Sequence, residues 1–159
     1  MDTSQETKSG KLMRPAPAVV RSKAARRLTG SWKITGYRVL DQQTYVEVAI
    51  PKERMDQTIE TWLFRPDGTF RHQLDETLWA TGRWSVQEAW RFQGGRYLLL
   101  HLEGVQSSLP GDRRDHMWHL VTFADEGRNL VVFQPSPKAD RPKGLQQASV
   151  FERRPYGQR

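Results

Sequence analysis

The sequence contains no cysteine and no long hydrophobic run. The lack of cysteine excludes disulfides, thiolate nucleophiles, iron–sulfur clusters and cysteine-ligated zinc. Because no stretch of about 18 consecutive apolar residues is present, the sequence predicts no transmembrane helix. The first residues also lack the apolar segment of a secretory signal, so we expect a cytoplasmic protein.

Aliphatic residues are scarce as well, and aromatic residues take their place. Apolar residues make up 36% of the 159, and they include six Trp, six Phe and four Tyr. A chain of this length corresponds to about one domain. Since each buried aromatic side chain removes roughly 150–250 Å² from water, we expect a thin core, one layer of side chains inside a curved sheet.

Positive charge is concentrated near the N-terminus. Residues 1–28 contain seven Lys or Arg and two acidic residues, a net charge of +5 out of the total of +7. Together with Pro15 and Pro17, this composition predicts a disordered tail over 1–27, with room for one helical turn at 22–27. Two other interpretations stay open. The tail binds a polyanion or an acidic protein partner, or it is a leader that directs the chain to an organelle.

Eight segments rich in aromatic or β-branched residues follow the tail, and turn-forming residues bound each of them. Pro66-Asp67-Gly68 is the clearest turn, because proline presets φ and glycine accepts a positive φ. We expect the longest connection, 41–57, to hold a short helix or a lid, and 87–91 to be a loop. The eight predicted strands span 31–40, 58–65, 69–75, 78–86, 96–103, 115–124, 129–134 and 146–153.

These segments predict an all-β fold, a single antiparallel up-and-down β-barrel of about eight strands. The barrel is expected to span residues 28–154, with 155–159 frayed. Closing a meander into a barrel removes its two exposed edges. No helical pattern separates the strands, which argues against a parallel α/β sheet. An eight-stranded barrel has an interior that side chains just fill, or that holds one small ligand.

Short motifs in this frame resemble the lipocalin-like (calycin-type) β-barrel domains, in particular the small bacterial lipocalin-like family. They are Gly30-Ser31-Trp32, the run from Trp62 to Phe70, Gly82-Arg83-Trp84 and Phe151-Glu152-Arg153. The resemblance implies that Trp32 closes the barrel floor and stacks with Arg153, or with Arg154 if the register differs by one residue. Such a contact places an arginine plane over an indole, a cation–π interaction.

No motif for catalysis or metal binding is present. The four histidines are His72, His101, His116 and His119, and none lies in H-E-x-x-H or beside a matched pair of carboxylates. His116 and His119 face opposite sides of a strand, whereas His72 and His101 could meet inside a barrel. No serine lies in G-x-S-x-G. We therefore predict no catalytic residue, no metal and no cofactor.

Strand alternation identifies candidates for the lining of an internal cavity. The predicted inward set is Trp62, Phe64, Trp84, His119, Val121 and Phe123. A register error of one residue would turn a strand over and select Leu63, Trp79, Trp118 and Leu120 instead. In the first strand, alternation places Trp32, Ile34 and Gly36 on one face and Tyr37 and Val39 on the other.

Three functions remain open at this point. The leading hypothesis is a non-enzymatic binding module that holds a small apolar or amphipathic ligand inside the barrel. The first alternative is a filled barrel that acts as an interaction or assembly protein, docking through its basic tail and an aromatic outer face. The second is a calycin-type enzyme, either an isomerase or a chromophore-attachment protein. The sequence assigns neither the ligand nor an oligomeric state.

Deleting residues 1–27 tests the tail as a polyanion site. If the tail binds polyanions, the deletion removes most of the salt-sensitive binding to heparin, because affinity for a polyanion follows the number of cationic contacts. Elution from a heparin column along a salt gradient measures this. Identical elution of the full-length and shortened proteins would show that the tail is not a polyanion site.

Overall fold

The structure, a computed structural model, describes residues 22–41, 44–55, 60–92, 95–135 and 147–155. These residues form nine strands, two short α-helices and one 3-10 turn. The predicted tail and frayed end fall mostly on 1–21 and 156–159, which lie outside the described residues. The elements are α1 Lys23–Leu28, β1 Gly30–Asp41, β2 Thr44–Ala49, α2 Lys52–Met55, β3 Thr61–Phe64, β4 Thr69–Gln73, β5 Trp79–Phe92, β6 Gly95–Ser107, β7 Arg113–Ala124, the 3-10 turn Asp125–Gly127, β8 Asn129–Phe133 and β9 Gln147–Arg154.

Eight of the strands form a closed antiparallel barrel, which confirms the predicted fold class. Strands β3 to β9 follow one another in the sheet, and β1 pairs with β3 on one side and with β9 on the other. The β1–β9 pairing leaves neither barrel edge open, so both bordering strands have hydrogen-bonded partners. Among the described residues, no helix is long and apolar enough to cross a membrane.

Two connections differ from the expectation. The 41–57 segment contains a short helix, α2, and also a ninth strand, β2. Strand β2 pairs with the second half of β1, whereas β3 pairs with its first residues. The loop predicted at 87–91 is wrong, since β5 runs without interruption to Phe92. A register shift against β6 between Gln87 and Trp90 interrupts the alternation there, and such a β-bulge resembles a loop in a sequence pattern.

The interior is packed with aromatic side chains at one end of the barrel. Phe64 stacks edge-on against Trp84 with ring centroids 5.2 Å apart, and Trp62 lies parallel to Phe64 at 5.3 Å. Helix α1 adds Ala25 and Leu28 to the same cluster. The Ser22 hydroxyl accepts a hydrogen bond of 2.9 Å from the Ala25 amide, an ordinary N-cap that stabilises the start of this helix.

Trp32 lies at the floor of the barrel and is fully buried. Its indole Nε1 donates a hydrogen bond of 2.9 Å to the Leu28 carbonyl. The Arg153 guanidinium carbon lies 4.2 Å from the Trp32 ring centroid, and Arg153 Nη1 also donates to the Thr29 carbonyl at 2.9 Å. One arginine therefore links β9, the Trp32 ring and the chain that enters β1.

A second apolar cluster lies on the outer face of β6 to β9. Alternation on these strands puts its members opposite to the inner cluster, for example Leu120 between His119 and Val121 on β7. The barrel wall is thus apolar on both faces over these four strands. The buried members of the outer cluster are Leu99, Leu120, Val131, Phe133, Ala148 and Val150.

We expect Trp32→Ala to lower the free energy of unfolding by about 3–5 kcal/mol, the usual range when a buried large aromatic residue is cut to alanine. The substitution leaves a cavity at the floor and removes the ring that Arg153 covers. Chemical denaturation measures the change. Leu109→Ala serves as the control, because Leu109 is 54% exposed in a loop. Equal effects of the two substitutions would contradict the role given to Trp32.

Candidate functional site

A cavity of about 240 Å³ lies in the half of the barrel away from Trp32 and opens to solvent. The end of β4, the end of β8 and the start of β9 surround the cavity. The floor with Trp32 lies at the opposite end of the barrel, at the start of β1 and the end of β9. The lining residues of the cavity are Tyr37, Glu60, Trp62, His72, His119, Val132, Phe133, Gln134, Pro135, Gln147, Ala148, Ser149 and Phe151.

A bulge in β1 brings Tyr37 to this cavity. The register of β1 against β9 shifts between Ile34 and Gly36, so Ile34 pairs with Phe151 but Tyr37 pairs with Ser149. Thr35 is the extra residue of this bulge, so the side chains after it lie on the opposite face from the one that strict alternation predicts. Ile34 and Tyr37 therefore both face the interior. The expectation that Tyr37 faces away from Trp32 and Ile34 is wrong for this reason, and sequence alternation alone gives no signal of the bulge.

One wall of the cavity is a stacked pair formed by Trp62 and His72. They are direct partners across β3 and β4, and their rings are nearly parallel with centroids 3.8 Å apart. His72 Nε2 lies 2.9 Å from Glu60 Oε2. Glu60 just precedes β3; it lies within the predicted strand 58–65, but the sequence pattern does not select it as a site residue. The stack and the hydrogen bond to Glu60 together fix the orientation of the His72 ring.

His119 supplies the opposite polar wall and is 6% exposed. Its Nδ1 lies 2.8 Å from the Phe133 carbonyl. Since a carbonyl oxygen only accepts, Nδ1 carries the proton, and the neutral ring keeps Nε2 as an acceptor. Burial, and to a smaller extent nearby His72, lower the pKa of His119 to about 4 against the opposing effect of the Phe133 hydrogen bond. The ring is therefore neutral at pH 7.

The lining contains few ionisable side chains. Glu60 is the single carboxylate, His72 and His119 are the titratable imidazoles, and no Lys or Arg is among the lining residues that the structure describes. At the rim, Gln134 donates a hydrogen bond of 3.3 Å to Gln147. The described lining thus combines the acceptors of Glu60 and His119 with the hydroxyl and amide groups of Tyr37, Ser149 and Gln147, and it contains no Lys or Arg.

The six residues predicted to line a cavity all lie on the inner side of the barrel, but at different depths. Trp62 and His119 line the cavity, and their rings meet edge to face at 5.7 Å. Phe64, Trp84 and Val121 belong to the buried core beneath it. Phe123 lies near the floor, 6.0 Å from Trp32 between ring centroids. In the alternative set, Trp118 and Leu120 belong to the outer cluster.

An exposed apolar strip continues the cavity wall onto the β1–β2 ribbon. Tyr37 pairs with Val48, and Val39 pairs with Val46, so the four side chains share one face. Their exposed fractions are 45% for Tyr37, 38% for Val39, 46% for Val46 and 51% for Val48. We call these four residues the apolar strip. Because Tyr37 is also a cavity residue, the strip and the cavity form one continuous surface.

The remaining histidines lie on the outside. His101 Nε2 is 2.9 Å from His116 Nδ1, and the Trp118 ring lies parallel to His101 at 4.8 Å. His101 and His72 therefore do not meet inside the barrel, because His101 projects from the outer face of β6. Across the described segments, no group of three or more His, Cys, Asp or Glu side chains is arranged to hold a metal ion.

Comparison with known proteins returns no relative. No protein-family model, no curated protein and no solved structure matches the chain. What is shown is the closed eight-stranded antiparallel barrel, and this architecture is consistent with a calycin-like fold. Any function has to be argued from the cavity, since a fold of this kind does not specify an activity.

The buried neutral His119 predicts that stability falls as the solution becomes acidic. The unfolded chain protonates this histidine near pH 6.5, whereas the folded protein resists protonation down to about pH 4. Above pH 6.5 neutral His119 does not lower the free energy of unfolding. Between pH 6.5 and 4 that free energy falls by about 3 kcal/mol, at roughly 1.36 kcal/mol per pKa unit. We expect His119→Gln to flatten this part of the stability–pH curve, whereas Leu109→Ala, which removes no titratable group, leaves it. Equal slopes in both variants would contradict the assignment.

Proposed function

We propose that this protein is a non-enzymatic binding module that holds a small apolar or amphipathic molecule in the open half of its barrel. The observation that supports this most is the cavity of about 240 Å³ beside Trp62 and His119, in a barrel whose other half is tightly packed. A concave, mainly apolar site with a few convergent polar groups is the usual form of a small-molecule site.

The cavity walls are held in place before any ligand arrives. Trp62 is fixed between His72 at 3.8 Å and Phe64 at 5.3 Å, and His119 is fixed by the Phe133 carbonyl. Side chains that are already ordered lose little conformational entropy when a ligand binds, and this raises affinity. The ligand gains one oriented acceptor, Nε2 of His119, without rearranging the barrel.

An isomerase is the second candidate, because Glu60, His72 and His119 converge inside the cavity. A carboxylate and an imidazole 2.9 Å apart are groups that transfer protons in many enzymes. Recovery of the bound compound distinguishes the two functions. A binding module returns it unchanged after prolonged incubation, whereas an isomerase returns a rearranged product of the same mass.

We expect N-phenyl-1-naphthylamine, a neutral apolar dye, to bind with a rise in dye emission and a change in tryptophan fluorescence. Ser149→Phe should weaken this binding at least tenfold, because Ser149 is a small lining residue and a phenyl ring fills the space beside Trp62. Ser85→Phe is the matched control. Ser85 pairs with His101 on the outer face, so this variant should bind like the unaltered protein. No dye binding at saturating concentration, or equal loss in both variants, would refute the proposed function.

A further inference from the structure

We propose that the ligand is an elongated amphipath with a hydrogen-bond-donating head that is not anionic, held head-inward between Glu60 and His119, while its apolar body lies along the apolar strip. This inference rests on the proposed function and adds the chemical class and orientation of the ligand. The two ends of the ligand are argued from separate observations.

We assign a donor to the head because two acceptors, Nε2 of His119 and the Glu60 carboxylate, lie in the cavity lining. The proton of His119 lies on Nδ1 and is committed to the Phe133 carbonyl, which leaves Nε2 with a lone pair. No further hydrogen bond to His119 exists within the part of the chain that the structure describes. A ligand hydroxyl or ammonium satisfies this lone pair, whereas a carboxylate presents a second acceptor to it.

The charge of the lining leads to the same result. Glu60 shares the cavity, and the described lining offers no Lys or Arg side chain to pair with an incoming anion. His72 is the nearest imidazole, and its Nε2 already faces Glu60 at 2.9 Å. Removing a carboxylate from water without a cationic partner is costly, and a second carboxylate nearby raises that cost. Fatty acids are therefore poor ligands for this cavity.

The body lies on the apolar strip because the strip is exposed and begins inside the cavity. Tyr37 pairs with Ser149 and Val39 with Gln147, and both of these β9 partners line the cavity. Valine side chains that are 46% and 51% exposed on β2 leave apolar area in water, and covering such area is favourable by roughly 25 cal/mol per Å². The cavity volume is below the roughly 300–1,000 Å³ of typical ligand sites, so a long chain has to extend outward.

The test of the head compares 1-nonanol, nonylamine and nonanoate with the full-length protein by calorimetry at pH 7.5. We expect the alcohol or the amine to bind at least tenfold more tightly than the acid. If 1-nonanol and nonylamine bind equally tightly, the head contacts Nε2 of His119. If nonylamine binds more tightly than 1-nonanol, the head contacts Glu60. His119→Phe should reduce the preference for the alcohol over the acid, since a phenyl ring offers no acceptor. Nonanoate binding as tightly as the alcohol and the amine would overturn the inference.

The test of the body uses a series of alcohols from hexanol to dodecanol with the double variant V46T/V48T. Threonine keeps the shape of valine but has a hydroxyl in place of one methyl group. The gain in affinity per methylene of the alcohol should therefore shrink at least twofold for the longer alcohols. Leu109→Thr, at an exposed position that is not among the lining residues, is the control and should leave the series unchanged. If V46T/V48T has the same gain in affinity per methylene as the unaltered protein, the apolar strip is not part of the ligand site. The same conclusion follows if the unaltered protein is a dimer and V46T/V48T is a monomer, because the strip is then a dimer interface.

The two levels of the proposal fail in different ways. If none of the three nonyl compounds binds and none displaces the naphthylamine dye, the proposed function itself is wrong. If they bind but the acid is equal or preferred, the binding function stands and the head-group assignment is wrong.

Discussion

The pairing of β1 with both β3 and β9 is the constraint on which the rest of the molecule depends. One strand of 12 residues closes the barrel, supplies the floor residue Trp32 and, beyond its bulge, supplies the mouth residue Tyr37. Closure satisfies the hydrogen-bonding groups of two strands that would otherwise be edges. It also forces the inner side chains of all eight strands to share one small interior.

That interior is divided into two halves with different chemistry. Near the floor, Trp32, Phe64 and Trp84 fill the space and are almost fully buried. Toward the mouth the facing positions carry His119, Gln147 and Ser149, which are shorter or more polar and leave a cavity. Stability is concentrated in the packed half, so the open half can keep exposed or unsatisfied groups. This division is why a barrel of such modest size still contains a cavity.

Much of the fold could be predicted from local patterns because aromatic and β-branched residues mark each strand. The turn at Pro66-Asp67-Gly68 has a strong local signal, and Gly68 indeed has a positive φ of 90°. Bulges were the main source of error. The one at Thr35 reverses the face of Tyr37, and the one near Gln87 made a strand look like a loop.

The site was less predictable than the fold, because its key contacts join distant parts of the chain. Alternation placed Trp62 and His119 on inner faces, but not how deep in the barrel each would lie. The partnership of Glu60 with His72 depends on the pairing of β3 with β4. The tautomer of His119 depends on a carbonyl 14 residues away. Neither contact has a spacing that a sequence motif would reveal.

The most direct measurement of the central claim is a long-range ¹H–¹⁵N NMR spectrum of the histidine side chains, recorded at pH 7.5 during a titration with 1-nonanol. Histidine-to-glutamine variants assign the signals. We predict that His119 shows a protonated Nδ1 and an unprotonated Nε2, and that the Nε2 signal moves on titration while those of His101 and His116 stay in place. A stationary His119 signal at saturation, or movement confined to the outer pair, would contradict a ligand site inside the barrel.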